Sequence, residues 1–388
     1  MTPTHRTIGV VTVSRADYGI LLPVLKLLAA TRDVTLWIFA TGTHLEERFG
    51  GTVRDIERDG FTVRERIPIG LDGDTDCDVA AAMGRGVAGF AAALSRSRPD
   101  VLLVAGDRFD TFPAAIAALP LRIPVAHIHG GEVSHGAIDD SIRHAITKLS
   151  HLHFPSTAQY ARRIEQLGEE PWRITVSGAP SLDNVLAIPR LDRAALEAKV
   201  GMPLTPAPLL VTFHAATLDA QTPEQQVAAL LDGLGAWTGP LVFTGVNADP
   251  GSRAIRAAID AFANARENVR VVESLGTAAY FSMLTVAAAM VGNSSSGLIE
   301  APSFELPVVN VGPRQDGRLR AKNVIDSACE KSDIAAAISR ATSPAFRDAL
   351  RGLVNPYGYG HAAERIVARL IHEPLDERLL VKRFHDQP

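Results

Sequence analysis

Short apolar runs rich in β-branched residues alternate with longer segments of helical periodicity along most of the chain. The first series begins with IGVVTV at 8–13 and ends with ITVSG at 174–178. A second series begins with PLLVTFH at 208–214 and ends with PVVNVG at 307–312. This alternation is typical of a parallel sheet covered by helices on both faces. It therefore predicts an α/β fold.

The two series predict two doubly wound domains, at 1–178 and 179–388, because 388 residues are too many for one compact core. The last segment of helical periodicity, at 361–373, can pack on either domain. The remaining predicted strands lie at 34–40, 61–67, 101–106, 124–129, 152–156, 241–247, 269–274 and 288–294.

Composition limits the partners and the compartment. The net charge is −4 and there are no blocks of Lys or Arg, so the sequence does not indicate binding to nucleic acid or to an anionic membrane. The only cysteines, Cys77 and Cys329, lie far apart, so neither a disulfide framework nor a structural zinc site is indicated. The apolar run near the start is too short for a signal peptide or a membrane span. We expect a cytoplasmic protein.

Open parallel sheets bind ligands beyond the carboxyl ends of their strands. We therefore expect the site in the cleft between the two domains. SRADYG at 14–19 follows the first predicted strand, so Arg15 can hold a phosphate or a sugar. The alternative is a helix cap by Ser14 or Asp17 with a solvated Arg15. Neither the dinucleotide fingerprint nor the P-loop is present here.

The loop AGDRFDTFPAA at 105–115 places Asp107 at the end of another predicted strand. Asp107 can be an active-site carboxylate or a helix cap, and the sequence leaves both roles open. Asp110 fits a cap better because it lies closer to the helical run.

The stretch HIHGGEVSHGAIDDSIRHAITK at 127–148 is unusually dense in titratable groups. Glu132 follows two glycines, which permit close backbone approach to a ligand. Asp139 and Arg143 are four residues apart, so they share one helix face. The alternative is a capped helix with an ion pair and a solvated Glu132. An HxH pair at the strand end raises the alternative of a metal site, but further ligands would have to come from elsewhere.

In the second domain, His214 ends the first predicted strand, and GNSSSGLIEAPS at 292–303 runs into a helix. Backbone amides, hydroxyls and a helix dipole suit a pyrophosphate, and Glu300 is placed to accept hydrogen bonds from ribose. A serine that only caps the helix is the competing account. Positive charge that complements the pyrophosphate comes from Arg314, Arg318 and Arg320.

In order and spacing, these motifs resemble the hydrolysing UDP-N-acetylglucosamine 2-epimerases of bacterial sialic-acid-type sugar biosynthesis, from about residue 8 to about 370. The resemblance rests on SRADYG, GDRFD, HIHGGE with DDSIRHAITK, VTFH, and NSSSGLIEAPS with GPRQDGRLRA. It implies a GT-B-like fold of two Rossmann-like domains, no cofactor and no metal. It also implies a nucleotide-sugar substrate, a homo-oligomer (dimer or tetramer) and an enzyme without an attached kinase domain.

The implied reaction has two steps. UDP first leaves as the C2 proton is removed, which gives 2-acetamidoglucal, and water then adds to give N-acetylmannosamine. The resemblance implies catalytic roles for Asp107, Glu132, Asp139 and His214. It implies substrate binding by Arg15, Arg143, Ser294, Ser295, Ser296, Gly297, Glu300 and Arg318.

Three alternatives stay open. The same reaction can act on UDP-2,4-diacetamido-2,4,6-trideoxyglucose or on a GDP-linked analogue on the route to legionaminic acid. A GT-B glycosyltransferase would use the same nucleotide domain with an acceptor. A nucleotide-sugar sensor would be expected to lack one or more of the three carboxylates, and all three are present. Which carboxylate removes the C2 proton is not decided by the sequence, and Asp140 competes with Asp139 for the same position.

Overall fold

The computed structural model describes residues 5–387, so the first four residues of the predicted N-terminal stretch and the last residue lie outside the described part. Two six-stranded parallel sheets form its framework. The strands are β1 (Arg6–Thr12), β2 (Val34–Thr41), β3 (Val63–Ile67), β4 (Val101–Ala105), β5 (Val125–Ile128), β6 (Leu152–Phe154), β7 (Leu209–Thr212), β8 (Leu241–Thr244), β9 (Val269–Val272), β10 (Ala289–Gly292), β11 (Val308–Val311) and β12 (Val324–Ser327).

Both sheets have the same topology. The first has the order β3-β2-β1-β4-β5-β6, and the second has the order β12-β11-β10-β7-β8-β9. Counted from its own first strand, each therefore runs 3-2-1-4-5-6, which is the doubly wound Rossmann order. The prediction of two doubly wound parallel sheets is confirmed.

Helices connect the strands. They are α1 (Arg15–Ala30), α2 (Val53–Arg58), α3 (Asp76–Arg96), α4 (Phe112–Ala118), α5 (Asp139–Leu149), α6 (Ala158–Gln166), α7 (Ser181–Ala187), α8 (Arg193–Val200), α9 (Pro223–Leu234), α10 (Ser252–Asn264), α11 (Thr277–Val286), α12 (Ser296–Ile299), α13 (Lys331–Ala341), α14 (Pro344–Asp348), α15 (Ala362–His372) and α16 (Glu377–Leu380).

Local sequence signals explain where several helices begin. Ser14 caps α1 through a capping box with Asp17, and Thr222 caps α9 in the same way with Gln225. In each box the hydroxyl accepts from a backbone N–H, while the side chain three residues on accepts from the cap's own N–H. The predicted cap of the first helix is confirmed.

Side-chain alternation along β7 explains why helices cover both faces of the second sheet. Leu209 and Val211 belong to one buried apolar cluster, whereas Leu210 belongs to another. Successive strand residues point to opposite faces, so a continuous apolar run requires cover on both. Burying each such side chain contributes about 1.5–3 kcal/mol.

Two strand predictions differ from the structure. The predicted strand at 174–178 is reduced to a single bridge between Ile174 and His153. The N–H groups of Thr175 and Ser177 donate to the carbonyls of His153 and Pro155 in the neighbouring segment. Pro155 has no N–H to donate in return, so the ladder of hydrogen bonds stops. Conversely, β12 was missed because its sequence VIDS contains only two apolar residues.

The chain divides into two compact units. Unit 1 comprises residues 1–132, 139–184 and 357–388, and unit 2 comprises residues 133–138 and 185–356. Helix α15 lies in unit 1, where the carboxylate of Asp183 accepts from the N–H groups of Ala362 and Ala363 at 3.0 and 2.8 Å.

Among residues 5–387, α3 is long and apolar enough to cross a membrane by length and composition alone. It buries Val79, Ala82, Gly86 and Phe90 on one face and packs against α4. One buried face and one exposed face are typical of a helix that covers a sheet.

Candidate active site

Several predicted site residues, Arg15, Asp107, His214 and the serines at 294–296, follow strands at the topological switch point of each sheet. The order reverses between β1 and β4 in unit 1 and between β7 and β10 in unit 2. Loops that leave such neighbouring strands in opposite directions open a crevice at their carboxyl ends.

In unit 1, Arg15 is the first residue of α1, directly after the cap Ser14. The carboxylate of Asp17 accepts from Val13 N–H at 2.9 Å and from the Thr12 hydroxyl at 2.8 Å. Asp17 is therefore a structural residue of this turn. Arg15 is half-buried at the carboxyl end of β1.

The loop after β4 separates Asp107 from Asp110. Asp107 forms an ion pair with Arg143 of α5. Asp110 is fully buried and pairs with Arg108 at 3.1 Å, while the N-cap of α4 is Thr111 without a side-chain cap. The expectation that Asp110 caps the helix is therefore wrong, since its carboxylate is engaged by a guanidinium.

Glu132 is 1% exposed, so the alternative of a solvated Glu132 is wrong. Its Oε1 accepts from the Ser156 hydroxyl at 2.9 Å and lies 2.7 Å from Nδ1 of His129. Its Oε2 lies 3.8 Å from Nη1 of Arg143. A carboxylate this buried needs such partners, because an isolated buried charge is very costly.

Arg143 links the two carboxylate loops. It is 1% exposed, pairs with Asp107 and approaches Glu132, and its Nη1 donates to His129 O at 3.0 Å. One guanidinium thereby contacts groups that follow β4 and β5. The planar fork of arginine suits this arrangement better than a lysine would.

The neighbouring acids of α5 differ in environment. Asp139 is 8% exposed. Asp140 is half-buried, and its carboxylate lies 3.7 Å from Nε2 of His144, one turn further along the helix. Of this pair, Asp139 is thus the more buried carboxylate and remains the better candidate for proton transfer.

His127 of β5 is a buried structural residue. Its Nε2 lies 2.7 Å from Gly106 O, and its Nδ1 lies 3.2 Å from the Thr147 hydroxyl. Burial lowers the pKa of His127 from 6.5 to about 3, so the ring is neutral at pH 7. Both nitrogens bond to protein groups, which leaves neither for a metal ion.

The glycines before Glu132 approach the protein's own chain. Gly131 has a φ of +76°, and a Cβ there would lie 2.3 Å from Tyr160 O. A side chain at this position would therefore force the loop away from α6. The two glycines predicted a close backbone approach to a ligand. In the structure, Gly131 makes a close approach to helix α6 of unit 1.

In unit 2, His214 follows β7 and is held by Asn293, which follows β10. Asn293 Oδ1 accepts from His214 N–H at 2.8 Å, and its Nδ2 donates to His214 O at 2.7 Å. The N–H of Asn247 donates to Nδ1 of His214 at 3.2 Å. Since Nδ1 is an acceptor, the proton of the neutral ring lies on Nε2.

The serine loop, Ser294–Gly297, begins directly after Asn293. It enters a helix, as expected, but this helix, α12, has only four residues, so its dipole contributes little. The N-cap is Ser295, whose side chain makes no capping hydrogen bond, whereas the hydroxyl of Ser294 accepts from Ser296 N–H at 3.3 Å. The phenol of Tyr280 donates to Ser296 Oγ at 2.6 Å.

Glu300 ends this turn and is 7% exposed. Burial and the nearby charge of Glu300 raise the pKa of Tyr280. Tyr280 therefore remains a hydroxyl donor that orients Ser296.

The three arginines after β11 have different protein partners. Arg314 lies 3.8 Å from Asp249, and Arg320 pairs with Asp326 at 2.9 Å. Arg318 is 8% exposed, and its Nε donates to Val133 O at 3.0 Å.

Residues 133–138, between Glu132 and Asp139, belong to unit 2. Besides the bond from Arg318, Gly136 O accepts from Leu218 N–H at 3.1 Å, and the N–H of Ile138 donates to the Thr217 hydroxyl at 3.1 Å. A boundary drawn at residue 178 did not anticipate this excursion.

Several structural partners of the site were not identified from the sequence. Ser156, Asn293 and Tyr280 contact Glu132, His214 and Ser296 respectively, from distant parts of the chain. Asn293 alone carried a local signal, because it lies at a strand end beside the serines. Within residues 5–387, no cluster of three or more His, Cys, Asp or Glu is arranged to hold a metal ion.

The sequence profile of the UDP-N-acetylglucosamine 2-epimerase family matches residues 26–371. The chain belongs to this family. Among curated relatives of this family member, the GDP/UDP-N,N'-diacetylbacillosamine 2-epimerase (hydrolyzing) of Campylobacter jejuni is 35% identical and covers 89% of each chain. The UDP-N,N'-diacetylbacillosamine 2-epimerase (hydrolyzing) of Legionella pneumophila is 35% identical, with coverage of 97% of this chain and 98% of its own.

Solved structures show the same architecture. The UDP-GlcNAc 2-epimerase from Neisseria meningitidis, bound to UDP-GlcNAc, superposes with a TM-score of 0.80. It shares 19% identity, with coverage of 95% of this chain and 100% of its own. This family member thus has the expected GT-B-like fold of two Rossmann-like domains.

Proposed function

We propose that the protein is a hydrolysing UDP-N-acetylglucosamine 2-epimerase that releases UDP and N-acetylmannosamine. The observation that carries this proposal is the contact of buried Arg143 with half-buried Asp107 and with buried Glu132, in a chain of the 2-epimerase family. Epimerisation at C2 requires proton removal and proton return, which buried carboxylates in different environments can perform.

The proton-transfer groups are Asp107, Glu132 and Asp139. Arg143 pairs with Asp107 and approaches Glu132, so one guanidinium contacts both carboxylates. A carboxylate held in this way suits a base that removes the C2 proton as the anomeric C–O bond breaks. Because the configuration at C2 inverts, a second carboxyl group, protonated from solvent, returns a proton to the opposite face of the 2-acetamidoglucal, while water adds its hydroxyl at C1 and releases its other proton.

The nucleotide-binding groups lie mainly in unit 2. The serine loop supplies hydroxyl and N–H donors to the pyrophosphate, and Glu300 accepts from the ribose hydroxyls. His214, with its Nε2–H, can donate to the sugar or the phosphate, while Arg15 and Arg318 add positive charge. These groups stabilise the negative charge that grows on departing UDP.

A second candidate substrate is UDP-2,4-diacetamido-2,4,6-trideoxyglucose, which is UDP-N,N'-diacetylbacillosamine. It is favoured by the names of the two relatives at 35% identity. The chemistry at C1 and C2 is the same for both sugars. The substituents at C4 and C6 distinguish them.

The test is turnover of the purified protein with each UDP-sugar, with UDP and the free sugar measured by mass spectrometry. We expect UDP and a free sugar inverted at C2 without any acceptor. Glu132→Gln and Asp107→Asn should each lower kcat by about 10²–10⁴-fold, as loss of a general acid or base does.

Asp140→Asn is the matched control, because it neutralises a neighbouring carboxylate that pairs with His144. It should keep its activity within about twofold. UDP release that depends on an added acceptor would instead identify a glycosyltransferase. A cytoplasmic location, a place in sialic-acid-type sugar biosynthesis and a homo-oligomeric state stay predictions. Light scattering of the purified protein measures the oligomeric state.

A further inference from the structure

His129 occupies a backbone conformation that favours glycine. Its φ is +64°, and the N–H of His129 still donates to Phe154 O at 3.1 Å, so the turn begins immediately after the last sheet hydrogen bond. A histidine in this region is strained by about 1 kcal/mol or more, a strain that glycine would avoid. Because glycine would avoid this strain, a histidine at this position indicates that the imidazole has a role.

The imidazole contacts the buried carboxylate directly. Nδ1 of His129 lies 2.7 Å from Oε1 of Glu132, and both residues are less than 5% exposed, at 4% and 1%. The Ser156 hydroxyl donates to the same oxygen at 2.9 Å. An ionised carboxylate only accepts hydrogen bonds, so Nδ1 must carry a proton.

These contacts fix the orientation of the Glu132 carboxylate. Oε1 is bonded by two donors, and Oε2 lies 3.8 Å from Nη1 of Arg143. Two bonds to one oxygen restrict the rotation of the carboxylate. A group that exchanges a proton with carbon requires such fixed geometry, since small misplacements lower the rate steeply.

We propose that His129 is a positioning residue for Glu132. Its Nδ1–H acts with the Ser156 hydroxyl to hold Oε1 and thereby orients the carboxylate for proton transfer. This inference rests on the proposed function, in which Glu132 takes part in moving the C2 proton. In the neutral ring Nε2 is then the unprotonated nitrogen, and this buried atom has no hydrogen-bond partner within residues 5–387.

The kinetic test compares two substitutions that both tolerate the positive φ. His129→Asn keeps an N–H donor near the position of Nδ1, because asparagine adopts this backbone region readily. His129→Gly keeps the backbone and removes the donor. We expect His129→Gly to lower kcat by about 10²-fold or more, and His129→Asn to recover most of that loss. KM and the Kd for UDP should stay within about twofold in both variants.

A matched control exists elsewhere in the chain. His361 also has a positive φ, of +66°, and its Nδ1 lies 3.2 Å from Oε1 of Glu364, three residues on, but this pair is exposed. His361→Gly should leave kcat within about twofold of the wild type. An equal loss in both glycine variants would show a backbone effect and overturn the proposal.

Two other outcomes also overturn it. One is a His129→Gly enzyme with kcat near the wild type, and the other is a His129→Asn enzyme as slow as His129→Gly. Failure of the proposed function is distinguishable, because the wild type would then release no UDP from either sugar. Independently of turnover, ¹⁵N NMR of histidine-labelled protein, assigned with His129→Asn, should show a protonated Nδ1. A ring protonated only at Nε2 would contradict the proposed hydrogen bond.

Discussion

Arg143 is the residue on which the candidate carboxylates converge. Its charge and its spacing from Asp139 were visible in the sequence, and they suggested a pair within one helix. The structure gives it an ion pair with Asp107 and a contact with Glu132. The sequence could predict which groups are charged, because residue types carry that information. Their partners depend on which strand ends are neighbours, and this follows only from the folded sheet.

Burial of neutral histidines predicts acid sensitivity of the fold. Burial lowers the pKa of His127 from 6.5 to about 3 and that of His151 from 6.5 to about 4. Below pH 6.5 the unfolded chain therefore takes up protons that the folded chain does not. The free energy of unfolding is therefore unaffected by these two groups above pH 6.5. It falls as the pH falls towards 4, by at most about 1.4 kcal/mol per pH unit for each group.

Urea denaturation between about pH 7.5 and about pH 4.5 measures this slope. His127→Gln cannot be protonated, so its free energy of unfolding should fall less steeply with pH than that of the wild type. Identical slopes for the two proteins would show that His127 is protonated in the folded state.

At the scale of elements, strands were predictable where apolar runs are continuous, and failures have local causes. Pro155 interrupts the ladder at 174–178, and β12 is too polar to recognise. The serine loop was predicted, but the single turn of α12 was not. A Pro at 302 follows soon after, and the chain continues as a 3₁₀ helix over Ala301–Phe304.

The turn that leads into the serine loop requires glycine. Gly292 has a φ of +132°, and a Cβ there would lie 1.9 Å from Thr212 O. Gly292→Ala must displace the end of β10 from β7, and with it Asn293 and the serine loop. We expect lower thermal stability and at least about tenfold weaker UDP binding by calorimetry.

Gly84→Ala is the matched control, because Gly84 lies within α3 and an added Cβ meets nothing within 4 Å. It should raise stability by about 0.5–1 kcal/mol. Unchanged UDP affinity in Gly292→Ala would show that the serine loop does not hold the nucleotide.

For the whole molecule, the alternation of apolar runs was sufficient to predict two doubly wound sheets, because parallel sheets need helices on both faces. Chain excursions were not predictable in this way. Residues 133–138 belong to unit 2 although both flanking segments belong to unit 1. Backbone hydrogen bonds such as that from Leu218 N–H to Gly136 O hold these residues in unit 2, and no local sequence pattern encodes such bonds.

In the proposed reaction the C2 proton is removed to a protein carboxylate and replaced from solvent. Turnover in deuterated water, with mass spectrometry and NMR of the released sugar, measures this most directly. We expect release of UDP with one deuterium at C2 of the inverted free sugar. A released sugar that retains hydrogen at C2 would contradict elimination through the glucal and, with it, the role assigned to Asp107, Glu132 and Asp139.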